Sequence, residues 1–270
     1  MKVALTGGTG LVGRFLAQGL HKGGHDVTIL SRTPPDLPGV RHRHYALGDT
    51  PDIAADVLVH AAFHHEPGRY RGGEGTDPDG FRRANVDGSL RLFRHFGGRT
   101  IFLSSRAVYG DYPAGTVMSE DLPLRPDTLY GQVKAEVEAE ATVSLRATGV
   151  YGPGAGHKWE GLFADHLAGR PVVPRAATEV HGADLASAVL ALLIRGQGAF
   201  NVSDLLLDRR DLLAEVSVIT GCVHEPPARA DAGRVNVMDC AKLKALGWAP
   251  GGWGRLISSL PAMVQSVPSR

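Results

Sequence analysis

Residues 3–6 form a short apolar run that stops at Gly7-Gly8-Thr9-Gly10. Beyond it Leu11, Val12, Phe15, Leu16 and Leu20 recur at helical spacing as far as Gly23-Gly24. This pattern predicts a strand, a tight turn and a helix. Residues 27–30 read as a second strand, 41–45 as a third, and 57–61 as a fourth whose continuous apolar character suits burial on both faces of a parallel sheet. A helix over 81–96 precedes a fifth strand at 100–104. Apolar strands alternating with helices predict an α/β fold, a Rossmann-type doubly wound parallel sheet.

After Lys134 the rhythm changes. A helix running to about 140 and a strand at 143–146 lead into a Gly/Pro-rich joint, Gly152-Pro153-Gly154-Ala155-Gly156. The joint divides the chain into a nucleotide-binding domain, 1–150, and a smaller C-terminal substrate lobe, 151–270. Within the second part a helix at 183–194 and a strand at 199–202 are expected to return to the main sheet, as a segment of about 183–203. Helices are expected near 212–220, 241–246 and 256–265.

Composition narrows the function classes. A length of 270 residues allows one large or two small domains. With 43% hydrophobic and 21% charged residues, and no long apolar window, neither disorder nor a membrane span is expected. Lys plus Arg at 29 against Asp plus Glu at 28 leaves a net charge of +1, so no nucleic-acid partner is expected. Cys222 and Cys240 fit neither a metal-ligand nor a disulfide spacing and read as reduced packing thiols; with no secretory pattern at the start of the sequence, the expected location is cytoplasmic. Glycine is in excess, 35 residues where average usage of about 7% gives about 19, and the excess gathers at strand ends with no fixed period.

The densest glycine group carries chemistry. Gly8-Thr9-Gly10-Leu11-Val12-Gly13 satisfies the dinucleotide fingerprint, and Gly7, Gly10 and Gly13 fit its three-residue-spaced variant. Placed between a strand and an opening helix, the backbone of Gly7, Gly10, Leu11, Val12 and Gly13 can approach a pyrophosphate at the positive end of the helix dipole. At the end of the second strand an NAD enzyme usually carries an acid for the ribose hydroxyls. Here Ser31 and Arg32 offer a hydroxyl and a guanidinium suited to a 2′-phosphate, so NADP(H) is favoured and NAD(H) is the alternative.

Tyr130 and Lys134 stand four residues apart, on one face if their segment is helical. The cation favours the phenolate and brings the Tyr toward a pKa useful for proton transfer. Ser105, at the end of the fifth strand, and Asn85, in Asn85-Val86-Asp87-Gly88-Ser89, complete a set that resembles the extended short-chain dehydrogenase/reductase superfamily, in its NAD(P)-dependent epimerase/dehydratase group. The resemblance also rests on His60-Ala61-Ala62, on Ser104-Ser105-Arg106-Ala107-Val108-Tyr109-Gly110, and on Val150-Tyr151-Gly152-Pro153. It implies Tyr130 as general acid/base, Ser105 as hydrogen-bond partner of the reacting oxygen, and Lys134 as ligand of the nicotinamide ribose and tuner of Tyr130. It further implies Asn85 in a proton relay and Ala61 and Ala62 along the cofactor, with no metal.

Three departures from the group's pattern bear on the reaction. Dehydratases of the group follow the catalytic hydroxyl residue with Asp-Glu, whereas Ser105 is followed by Arg106-Ala107, which argues against elimination of water. The stretch between Lys134 and the next strand is about ten residues short of the group's usual length, so the helix bearing Tyr130 must end early. Pairing of two copies through that helix and the one at 81–96, the homodimer the resemblance implies, has less surface to use. Lastly, Ala177 and Gly149 stand where enzymes acting on nucleotide-diphosphate sugars carry an Arg and an Asn, so a smaller carbonyl, polyol or lactone-like substrate is expected.

The sequence therefore points to a hydride transfer between nicotinamide and a secondary alcohol or ketone of a small, sugar-like molecule. A nucleotide-sugar epimerase with tightly held cofactor is the alternative, and a non-catalytic nucleotide sensor the third reading. Other signals carry less. His64-His65-Glu66 suits a loop near the nicotinamide better than a metal site, and 68–80 reads as a mobile loop at the active-site rim. Trp159 fits a substrate wall or a core position equally, and Asp184 reads as a helix-start charge.

Overall fold

Val3 and Leu5 pack with the apolar cluster on one side of the first strand while Ala4 packs with the cluster on the other, and all three are fully buried. A strand sealed on both faces needs helices on both, which fixes a three-layer arrangement. The computed structural model describes residues 1–66 and 73–267. In chain order the first part comprises β1 (Lys2–Thr6), α1 (Gly13–Lys22), β2 (Asp26–Ser31), β3 (Arg41–His44), β4 (Val57–His60), α2 (Pro78–Arg82), α3 (Gly88–Phe96) and β5 (Arg99–Ser105). A π-helical turn, Arg83–Asp87, joins α2 to α3, and a 3₁₀ turn, Arg106–Val108, follows β5. Next come β6 (Val117–Met118), α4 (Leu129–Glu138), β7 (Val143–Ala147), β8 (Gly149–Tyr151), α5 (Glu160–Leu167), β9 (Ala176–His181), α6 (Gly182–Leu192) and β10 (Gly198–Val202). The chain continues through β11 (Leu205–Asp208), α7 (Arg209–Thr220), β12 (Val237–Met238), α8 (Ala241–Lys244) and α9 (Gly252–Gln265).

Seven strands form one sheet in the order β10-β7-β5-β4-β1-β2-β3, every neighbouring pair parallel. The order reverses between β1 and β4, and a ligand crevice is expected at such a switch point, beyond the carboxyl ends of those strands. α1 and α6 lie together on one face, where Gly19 lets them approach: a Cβ there would come within 2.5 Å of the Ala186 Cβ. Phe81, Leu92, Phe93, Val133 and Val137 cover the other face. The outer strand β3, Arg-His-Arg-His, is exposed at all four positions, a charged edge that discourages pairing with another chain.

The periodicity located most of the main sheet and its helices, and the structure adds what it missed. β8, β9 and β11 make a separate three-stranded sheet, β11 antiparallel and β8 parallel to β9. β8 is three residues long, β9 is half polar, β11 is three leucines ending at Asp208, and β6 and β12 are two residues each. The helix expected at 81–96 begins three residues earlier, with Pro78 in its first turn and Asp77 capping it, and is interrupted by the π turn. α4 ends at Glu138, as the short stretch before β7 requires. Trp159 is a core residue, 6% exposed and stacked on Tyr151 at 4.8 Å between centroids. Asp184 is buried in the first turn of α6, with Arg255 Nε 3.0 Å away. The segment expected as a rim loop falls partly on residues 67–72, outside the described residues; its flanks are tied by the Glu66 N–H donating to the Gly73 carbonyl.

Candidate active site

The turn after β1 owes its shape to missing side chains. Gly7 has φ 70°, and a Cβ on it would lie 2.7 Å from Ala62 N. A Cβ on Gly13 would sit 2.0 Å from the Gly7 carbonyl oxygen. Only glycine at both positions lets α1 start against β1 while the segment after β4 closes over the turn. Gly10 N–H donates to Gly7 O and Arg14 N–H to Gly10 O, whereas the Leu11 and Val12 N–H groups have no acceptor among the described residues. Free donors at a helix start, in a cradle that a side chain would fill, fit a pyrophosphate. Gly7, Gly10, Leu11, Val12, Gly13, Ala61 and Ala62 thus meet in the crevice between β1 and β4.

Ser31 closes β2 with its hydroxyl donating to the Thr33 carbonyl at 2.7 Å, and Arg32 beside it is exposed. The His42 ring lies 3.0 Å from the Ser31 carbonyl. These residues end next to the glycine turn because β1 and β2 run in register, Thr6 opposite Leu30.

Beneath the crevice runs a buried polar chain. Thr6 Oγ1 accepts the N–H groups of Ala61 and Ala62, each at 3.1 Å, and lies 2.8 Å from His60 Nδ1. With its acceptor sites taken, the Thr6 hydroxyl donates to Nδ1. The His60 proton therefore sits on Nε2 and is donated to Ser89 Oγ at 2.9 Å, and Ser89 donates onward to the Asn85 carbonyl at 2.5 Å. Full burial, with the Lys134 cation nearby, pushes the His60 pKa down to about 3, so the ring is neutral. The Asn85 side chain is spent on backbone: Oδ1 accepts His64 N–H at 2.8 Å, and Nδ2 donates to the carbonyls of His64 and Phe81, both at 2.9 Å. It sits in the π turn, a distortion frequent at functional sites, and from there pins the segment after β4.

Ser105, Tyr130 and Lys134 come from β5 and α4. The Ser105 oxygen accepts the Ala107 N–H at 3.2 Å, capping the 3₁₀ turn, and its hydroxyl hydrogen has no acceptor among the described residues. Thr128 caps α4 by accepting the Gly131 N–H. Gly131 allows α4 to press on the 3₁₀ turn, since a Cβ there would lie 2.5 Å from the Ala107 carbonyl oxygen. The Lys134 ammonium donates to the Leu103 carbonyl at 2.7 Å and stands 5.8 Å from the Tyr130 ring centroid. It is also flanked by the rings of Phe63, at 4.1 Å, and Phe102, at 4.6 Å. Burial lowers the Lys134 pKa to about 7 against the opposing pull of Glu138.

Tyr130 lines a cavity of about 280 Å³ together with Arg106, Ala107, Gly110, Asp111, Asp127, Thr128 and Asn236. Gly110, with φ 66°, makes room for the strap over it: a Cβ would fall 1.6 Å from the Arg125 carbonyl oxygen. Three contributors to the site went unread in the sequence, namely Phe63, Gly131 and Asn236. Gly131 left a trace in following the Tyr directly; Phe63 and Asn236 left none, because their roles depend on contacts made across the fold.

The class this fold and crevice define is a nucleotide-binding α/β protein in which Tyr130 lines a cavity and Lys134 follows it one helical turn on. A family model, the NAD dependent epimerase/dehydratase family, matches residues 3–203, and the chain belongs to that family. The sequence is 30% identical over 166 residues to a UDP-glucose 4-epimerase of Corynebacterium glutamicum, covering 56% of this chain and 48% of that one. It is 30% identical over 175 residues to a 2-alkyl-3-oxoalkanoate reductase of Stenotrophomonas maltophilia, covering 57% and 52%. The chain spans about half the length of these curated relatives. A solved Thermus thermophilus UDP-glucose 4-epimerase in complex with NAD superposes with a TM-score of 0.77 at 25% identity, covering 99% of both chains.

Proposed function

We propose that the chain is an NAD(P)(H)-dependent oxidoreductase acting on a secondary alcohol or ketone of a small, sugar-like molecule. The observation that carries this reading is the Tyr130–Lys134 pair one helical turn apart, with Tyr130 lining a cavity, in a chain whose glycine turn sits at the β1–β4 crevice. A nicotinamide dinucleotide held along the glycine turn would supply or take up the hydride. Tyr130 gives its phenolic proton to the substrate oxygen, or takes one from it. Lys134 favours the phenolate, and Ser105 turns its free hydroxyl hydrogen toward the same oxygen. Asn85 serves by fixing the backbone at His64, the edge of the cofactor crevice.

NADP(H) is the proposed nucleotide. Arg32, exposed beyond β2 with Ser31 beside it, supports a 2′-phosphate contact, and NAD(H) is the alternative that the Thermus complex favours. Residues 1–150 with about 183–203 would bind nucleotide and the rest of 151–270 substrate; β10 lying against β7 supports that division. The two free thiols fit the proposed cytoplasmic setting, and among the described residues no helix is long and apolar enough to cross a membrane. Pairing through α3 and α4 would give a homodimer.

The second reading, a nucleotide-sugar epimerase, is favoured by the names of the relatives. Against it stand Ala177 and Gly149, and the ion pair of Lys158 with buried Glu179 in the volume that a side chain at 149 would need. Two measurements separate the readings. Consumption of NADPH in step with loss of a ketone, with UDP binding weakly, supports the oxidoreductase. Nucleotide retained through purification, no net redox change and micromolar UDP affinity support the epimerase. The reductase named among the relatives acts on an oxo acid, which bears on the substrate class.

A further inference from the structure

Arg106 has a carboxylate, Asp127, near enough to act on its charge but makes few hydrogen bonds among the described residues. Its Nε is buried without a hydrogen-bond partner, and one Nη reaches the Asn236 carbonyl only at 3.4 Å. A planar fork of five donors taken partly out of water is costly unless something pairs with it. Its counterpart Arg146 shows the contrast, with its guanidinium spread over both Glu138 carboxylate oxygens, the Tyr109 hydroxyl and the Glu120 carbonyl. Arg106 directly follows Ser105 and lines the cavity that Tyr130 also lines. A group bound against the guanidinium therefore shares the cavity with an oxygen bound at Tyr130.

From this geometry we infer that Arg106 is a specificity-determining residue that receives a single carboxylate carried by the substrate close to its reacting carbonyl. The inference rests on the reading of Tyr130 and Ser105 as the reacting site. A carboxylate matches the Nη edge of the fork bidentately, where the guanidinium lines the cavity. The charge at the cavity mouth sets the number of carboxylates. Asp111 lines the same cavity and is exposed, so a second anionic group on the ligand would meet it. Burial lowers the Arg106 pKa and Asp127 opposes that shift, so the fork remains charged across the range in which a carboxylic acid is ionised.

The test compares calorimetric binding of acetoacetate, acetoacetamide and 3-oxoglutarate to the purified protein, with and without NADP⁺, which cannot reduce a ketone. These probes share a 3-oxo group and carry one, no and two carboxylates. Acetoacetate is expected to bind at least about tenfold more tightly than the amide, the range of a charge-assisted hydrogen-bonded pair, and more tightly than the diacid. The preference should vanish in Arg106→Gln and survive in part in Arg106→Lys, with NADP⁺ affinity in each variant reporting an intact fold. Equal binding of acid and amide, no binding of either, equal binding of the diacid, or a preference retained in Arg106→Gln overturns the inference. Should the acid preference depend on Arg106 while no hydride transfer to any ketone is found, the oxidoreductase reading fails and the carboxylate site stands.

Discussion

The Lys134 ammonium lies 4.1 Å from the centroid of the Phe63 ring, and the same ring stands edge-on to Tyr130 at 5.2 Å. One aromatic side chain from the segment after β4 thus covers the cation and abuts the phenol. The groups around the ammonium are Tyr130 and Glu138 on its own helix, neutral His60 from β4, and the Leu103 carbonyl of β5. Desolvation is the main reason its pKa falls to about 7, and Phe63 supplies one wall of the dry site.

Phe63→Ala should therefore return the Lys134 pKa toward its ordinary 10.5, by at least about one unit. Competitive acetylation across a pH series, read at Lys134 by mass spectrometry, measures this without any substrate. An unchanged titration would mean that Phe102 and the sheet alone keep the site dry.

Tyr130→Phe keeps the ring and removes the hydroxyl with its transferable proton. Turnover should fall about 10²- to 10⁴-fold, the usual contribution of a general acid/base, while nucleotide affinity stays near wild type. Near-native turnover would remove Tyr130 from the chemistry.

His60 makes stability depend on pH. Its folded pKa of about 3 lies below the ordinary 6.5, so between those values the unfolded chain binds a proton that the folded chain does not. Stability contributed by the neutral ring is complete above about pH 6.5 and declines as the pH drops toward 3, by about 1.4 kcal/mol per pH unit within that window. His60→Asn should be less stable at pH 7 yet lose less on acidification. Denaturant unfolding of both proteins at pH 7, 5.5 and 4.5 tests the difference; parallel curves would show that His60 is not the titrating group.

The sheet was legible because strands buried on both faces must be apolar throughout and the turn after β1 must be glycine. The Tyr130/Lys134 pair was legible because helical spacing alone brings it onto one face. The β8-β9-β11 sheet was not, since Gly149-Val150-Tyr151 is too short to show alternation and β9 carries Thr178, Glu179 and His181 among its buried positions. Nor was the fixing role of Asn85, which depends on a π turn bringing its amide against the His64 backbone 21 residues away in sequence. Arg106 could be read as a departure from a motif, but its unsatisfied Nε emerges only from the packing around it.

Arg32→Asp tests the choice of nucleotide. Replacing an exposed cation at the end of β2 with an anion should weaken NADPH binding by about tenfold or more and leave NADH binding equal or better, because the new carboxylate repels a 2′-phosphate and suits ribose hydroxyls. Calorimetric titration of both nucleotides against both proteins decides it. A wild-type protein that already prefers NADH would assign Arg32 to solvent.

Two glycines in helices should respond oppositely to the same added methyl. Gly161 in α5 is exposed, and a Cβ on it meets nothing within 4 Å. Gly161→Ala should stabilise the protein by about 0.5–1 kcal/mol through helix propensity, with no change in turnover. At Gly131 the same Cβ would lie 2.5 Å from the Ala107 carbonyl oxygen, which belongs to backbone and cannot swing aside. Either α4 shifts away from the 3₁₀ turn or the turn shifts from β5, and both separate Tyr130 from Ser105. Overpacking of this kind typically costs about 1–3 kcal/mol, and a displacement of about 1 Å between reacting groups about 10²-fold in rate. Gly131→Ala should therefore lower the melting temperature and cut turnover, while nucleotide affinity, set at the glycine turn after β1, changes little. Melting curves, turnover and nucleotide titration on the two variants side by side check all three parts, and wild-type turnover in Gly131→Ala would show that the spacing of α4 from the Ser105 turn does not govern the site.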